Sequence, residues 1–130
     1  MAFLLHFAIA AILPGSARFP GAAELDLAPF VAKFLRETSW LMWLAAVGSA
    51  VAFALAPILT IYVPLPAFLL PRGLLDRHAV AMCEHRVYTV RQAAFMLKMI
   101  GGLHWAARPE IRARLGLVPY PPDPGTWRTS

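Results

Sequence analysis

The chain has one cysteine, Cys83, so no internal disulfide can form and the redox compartment is left open. Charge is scarce too: 15% of residues are charged, well below the usual share of about a quarter. No CxxC, HExxH or HxxxH spacing occurs, which removes the common zinc arrangements. His78 and His85 sit seven positions apart, about 10 Å along a helix and too far to share one ion. Cys83 lies among Met82, Glu84 and His85 with no flanking lysine or arginine to activate it as a nucleophile. There is no glycine-rich phosphate loop, and the ionisable residues are too scattered for a catalytic constellation. The sequence reads as non-enzymatic, with no catalytic, cofactor or metal residue assigned. A haem between facing helices would have to draw on His6 with His78, His85 or His104, and a quinone is the other cofactor a helical membrane protein of this size could hold.

What is abundant is apolar surface. Hydrophobic residues make up 59% of the 130 positions and the mean hydropathy is +0.60. A single unit of this length cannot bury that much in its own core, so lipid or a partner must cover the remainder. Between Glu37 and Arg72 no charged side chain occurs. This stretch predicts an all-α, membrane-embedded protein with one main transmembrane helix from about Ser39 to Ala56. Trp40 and Trp43 stand near its start, where indoles favour the head-group region. Gly48 and the surrounding alanines predict close packing against another helix. Pro57 breaks the helix, and a proline-broken apolar continuation runs to Pro64, Pro66 and Pro71.

The flanks follow from that segment. Met1–Leu13 is apolar but lacks a basic start and a clear cleavage site, so it reads as a retained half-span or interfacial helix, with a signal peptide as the competing reading. Asp26 predicts a helix N-cap for an amphipathic helix with Leu27, Phe30, Val31, Phe34 and Leu35 on one side. From Gly73 the pattern predicts one long basic helix on which Arg77, Glu84, Arg91 and Lys98 form a stripe at seven-residue intervals. That stripe is either a solvated face or a docking face for an acidic partner or anionic lipid. Gly101-Gly102 is expected to loosen or bend that helix before Leu103. Pro109 predicts the start of a short helix closed by Gly116. Residues 117–130 hold four prolines, and an extended tail presenting Tyr120 and Trp127 to a partner is expected. The single unit thus divides at 1–38, 39–71, 72–116 and 117–130.

Nine of the twelve basic residues follow the apolar stretch, facing four acidic ones. No aromatic motif of the RNA-binding kind accompanies them, so nucleic acid is not the expected partner. The positive-inside rule predicts an integral protein, of a bacterial inner membrane, with its C-terminal half cytoplasmic.

The second half carries an order of residues: Phe68-Leu69-Leu70-Pro71-Arg72, Leu75-Asp76, His85-Arg86, Arg91, Lys98, Arg108-Pro109-Glu110-Ile111-Arg112 and Leu115-Gly116-Leu117. This order resembles the helical region that accompanies bacterial GMC-type flavin oxidoreductases and, more distantly, the small subunit of gluconate 2-dehydrogenase-like enzymes. The resemblance covers about half of the chain. It implies a helical accessory subunit of an electron-transfer complex, placing a flavin-bearing partner at the membrane or beside an electron acceptor. It carries over no catalytic residue. The long apolar front half and the lack of a flavin domain depart from the pattern.

Overall fold

The element that collects the core is the first one. In the computed structural model, which describes residues 1–122, helix α1 (Ala2–Ile12) buries Leu5, Ala8, Ile9 and Ile12. It touches α2 (Leu27–Glu37), α3 (Trp40–Leu55), α5 (Arg72–Cys83) and α6 (Tyr88–Ala107). Two short helices complete the set, α4 (Pro57–Thr60) and α7 (Pro109–Arg114). The fold is all-α: no strand occurs among the described residues. One hydrophobic cluster runs from Leu5 to Ile100, with Phe53, Met82 and Leu97 among its fully buried members. Met1–Leu13, expected as a retained half-span or interfacial helix, is helical, and its buried side packs on other helices of the chain. An apolar helix is covered equally well by lipid or by other helices, and here the helices cover it.

Several boundaries fall where local chemistry puts them. Ser39 caps α3, its hydroxyl accepting from the Met42 amide at 3.4 Å. Ala56 ends α3, and Pro57 takes the first position of α4, where its missing N–H costs nothing. Pro109 does the same for α7, and Gly116 follows it at φ 68. Asp26 does occupy the N-cap position of α2, but at φ 59 and without a capping hydrogen bond.

One expectation fails and two others find no support. The long basic helix is two helices: α5 ends at Cys83 and α6 begins at Tyr88. The break is closed locally, because the Val87 amide donates to His85 Nδ1 at 3.1 Å and Arg91 Nη1 donates to the His85 and Arg86 carbonyls at 2.7 and 3.1 Å. Gly101-Gly102 does not interrupt the helix. Both lie inside α6, which runs on to Ala107. A Cβ on Gly101 would stand 2.6 Å from Ile9 Cγ2 and from Leu13 Cδ1, so the glycine is there to let α1 approach. Finally, α3 has sixteen residues, about 24 Å at 1.5 Å per residue against a hydrocarbon core of about 30 Å. Among the described residues no helix is long and apolar enough to cross a membrane.

Two buried histidines tie the layers. His78 is fully buried beneath the Phe53 ring, at 4.6 Å between centroids. Its Nε2–H donates to the Phe53 carbonyl at 2.9 Å, which leaves Nδ1 to accept from the Thr60 hydroxyl at 2.6 Å. Thus α3, α4 and α5 meet on one imidazole. His104 of α6 joins the Leu25 carbonyl at 2.8 Å and stacks on Phe30 at 4.7 Å. Trp105 extends this seam, donating to the Pro20 carbonyl at 3.0 Å.

Candidate membrane-binding surface

The stretch between Glu37 and Arg72 folds so that half of it faces outward. Leu41, Leu44, Gly48, Ala52 and Leu55 recur at three- and four-residue steps, which places them on one side of α3. Leu41, Leu44 and Leu55 are exposed, as are Ile58 and Leu59 of α4 and Tyr62, Leu65, Phe68 and Leu69 beyond it. With Trp40, 76% exposed, and Trp43, this makes eleven of the twenty-two exposed large apolar side chains among the described residues, all within a segment that carries no charge. Scattered exposed leucines need no explanation, but an uncharged run of this size marks a surface that binds lipid or protein. Tyr62 sharpens the point. It is 86% exposed and sits at φ 57, a conformation that costs a bulky residue about 1–3 kcal/mol.

Beside the stripe, α3 and α6 part to leave a groove of about 520 Å³. Gly48 and Ala52 line it from α3, Ala93 and Met96 from α6, Leu59 from α4 and Met82 from α5. Its polar groups are Ser49, Thr89 and Gln92, and no charged residue lines it. A Cβ on Gly48 would meet nothing within 4 Å. The close helix packing expected at Gly48 is thus not seen among the described residues. Ala46, Ala50 and Ala54 face the other way, into the core.

The structure separates the basic stripe. Arg77 borders a shallow cleft with Thr60, Tyr62 and Glu84, while Lys98 borders another with Arg72, Asp76 and Cys83. Arg91 closes the turn between α5 and α6 and lies 5.9 Å from the Tyr88 ring. Tyr120 is exposed, with the Arg112 guanidinium 3.9 Å from its ring centre, and Arg112 Nε also donates to the Val118 carbonyl at 2.6 Å. Trp127 lies outside the described residues. Sequence reasoning assigned no structural role to His78, Thr60, His104 and Trp105, which are joined to partners 18 to 85 positions away in the chain.

No group of three or more metal-binding side chains forms among the described residues. Both nitrogens of His78 and Nε2 of His104 are already bonded to the protein, so a haem ligand drawn from either would first break the seams that hold α3 to α5 and α6 to Leu25. The geometry gives these rings a structural task. No protein-family model matches the chain, and neither does any curated protein or solved structure.

Burial holds the pKa of His78 below its ordinary value of 6.5, although the bond to Phe53 pushes the other way, and burial lowers His104 likewise. The folded rings therefore resist protonation that the unfolded rings accept. Stability is full above about pH 6.5 and declines as the pH falls below that value. Melting curves between pH 7 and pH 5 should show this fall, and His78→Gln should flatten part of it, with His104 supplying the rest. An unchanged slope in His78→Gln would remove His78 from the explanation.

Proposed function

We propose that the protein is a non-catalytic helical anchoring subunit that lies on a membrane, seating its uncharged face, from Leu41 through Leu69, among the lipids. The observation that carries this reading is the exposed apolar stripe of α3 and α4 with no charged residue between Glu37 and Arg72. Water would hydrate that surface unfavourably, at roughly 25 cal/mol per Å² of apolar area. Contact with lipid removes the penalty without demanding a helix of spanning length. Trp40, Trp43 and Tyr62 supply rings that suit the head-group layer.

A protein on one leaflet has both halves on the same side of the membrane. The charge excess of residues 72–128 then favours the anionic cytoplasmic leaflet rather than an orientation across the bilayer. Anchoring also suits an accessory subunit that holds a larger redox partner, the role implied by the resemblance to flavin-dehydrogenase accessory regions. Mass spectrometry of the complex extracted from its native membrane identifies that partner.

Flotation with vesicles of phosphatidylcholine and phosphatidylglycerol tests the anchoring. The wild-type protein should float, and Leu41→Asp/Ile58→Asp/Leu65→Asp should stay behind with an unchanged melting temperature, because each position is already exposed. Equal flotation of the triple variant would contradict the reading.

A further inference from the structure

The bonds around His78 need more protons than a neutral ring supplies. Three contacts form one chain: the Thr60 hydroxyl to the Ala56 carbonyl at 3.1 Å, the same hydroxyl to Nδ1 at 2.6 Å, and Nε2 to the Phe53 carbonyl at 2.9 Å. Both carbonyls only accept, so three hydrogen bonds require three protons. A neutral imidazole and a hydroxyl carry two between them. With the ring neutral, Nε2–H serves Phe53, the hydroxyl serves Nδ1, and the Ala56 contact holds no proton. An imidazolium completes the chain. Nε2–H then donates to Phe53, Nδ1–H donates to the Thr60 oxygen, and the Thr60 hydroxyl donates to Ala56.

We infer that His78 is a proton-responsive latch: it takes up a proton inside the folded core, and the Thr60 hydroxyl turns from Nδ1 to the Ala56 carbonyl to receive it. Uptake then breaks no tie among α3, α4 and α5 and adds one bond. The neutral state leaves no orphan at Ala56 either. Its carbonyl already accepts from the Leu59 and Thr60 amides at 2.9 and 3.0 Å. Burial opposes the charge, so uptake falls below the ordinary value of 6.5.

The surroundings suit a switch rather than a permanent charge. Helices α3 and α4 bear no titratable side chain. Helix α1 brings only His6, which borders a separate cleft with Ala28 and Val31. On α6, Arg91 is bound to the His85 and Arg86 carbonyls, and Lys98 borders the cleft with Arg72. Asp76, Arg77 and Glu84 lie with Thr60 around the shallow cleft beside α5. His78 itself has no exposed surface, so the Thr60 hydroxyl is its polar link to that cleft. The latch sits beneath α4, whose Ile58 and Leu59 belong to the outward face, and it holds whatever covers that face.

NMR of the full-length protein with isotope-labelled histidines tests the latch, and His78→Gln identifies the signal. Above neutral pH, His78 should show the Nε2–H tautomer. On acidification it should titrate below pH 6.5 while the methyl signals of the buried Leu97 and Ile100 keep their folded positions. Thr60→Val separates the two roles of the hydroxyl. Hydrogen bonds to charged groups are the stronger kind, so losing a hydroxyl that receives from the cation should weaken proton binding about tenfold, a titration about one pH unit lower. Losing a hydroxyl that serves only the neutral ring would instead strengthen proton binding. Thr60→Ser keeps the hydroxyl and should titrate as the wild type does. Stronger or unchanged proton binding in Thr60→Val overturns the latch. So does a wild-type His78 that stays neutral until the core methyl signals collapse, a result that needs no variant to fold.

Discussion

Phe53→Ala is expected to lower stability by about 3–5 kcal/mol, the usual cost of removing a fully buried phenylalanine. Among the described residues Phe53 is the largest fully buried side chain. Its ring meets the edge of Phe7 from α1 at 6.1 Å between centroids and covers the His78 imidazole at 4.6 Å. Truncation opens a cavity among three helices and admits water to an imidazole that is bonded to the backbone carbonyl of this same residue. A domain of this size has about 5–15 kcal/mol in total, so the loss is a large share of it. Urea unfolding followed by circular dichroism measures it. A cost below about 1 kcal/mol, the range of ordinary surface substitutions, would mean that α1, α3 and α5 do not meet around this ring.

The second large effect separates two neighbouring glycines. Gly101 and Gly102 both lie inside α6, where replacing glycine by alanine favours the helix by about 0.5–1 kcal/mol. Their surroundings differ. A methyl on Gly102 meets nothing within 4 Å, whereas one on Gly101 lies 2.6 Å from Ile9 Cγ2 and Leu13 Cδ1. Leu13 can rotate away, but Cγ2 of a β-branched isoleucine on a packed helix moves only by leaving its one strongly preferred χ1 rotamer. Gly102→Ala should therefore stabilise by about 0.5–1 kcal/mol, Gly101→Ala should destabilise, and Gly101→Val should cost about 3 kcal/mol, the upper end of overpacking. Equal responses at the two positions would contradict the close approach of α1 to α6.

These two glycines show where sequence reading stops. Adjacent and chemically identical, they mark a flexible point by propensity alone, and only the position of α1 distinguishes them. The limits of α3 were legible, because Ser39 and Pro57 act through their own backbone neighbours. The start of α7 at Pro109 was legible for the same reason. The break between α5 and α6 was not. Residues 84–87 contain neither glycine nor proline, and a seven-residue charge spacing continues across them. The turn is held by Arg91, reaching back five and six residues.

The same limit explains the handling of α1. Its apolar residues point in nearly all directions, and periodicity cannot tell lipid from helix as the material that covers them. For the uncharged segment the composition did reveal an outward-facing surface, since 59% hydrophobic content exceeds what a chain of this length can bury. It could not show that α3 stops short of a crossing, with its small residues divided between core and groove. His78 and His104, candidates for cofactor binding as isolated letters, acquire their structural meaning from carbonyls 25 and 79 residues away.

The central claim is that the uncharged face lies in the lipid interface. Tryptophan quenching by phospholipids brominated at chosen depths tests it most directly. Trp40 is 76% exposed at the start of α3 and Trp43 stands one turn on, so their emission is isolated by subtracting that of Trp40→Phe/Trp43→Phe. The expected result is strong quenching by bromine close to the head groups and weak quenching by bromine near the chain ends. Absence of quenching at every depth, in vesicles that carry anionic lipid, would contradict the account.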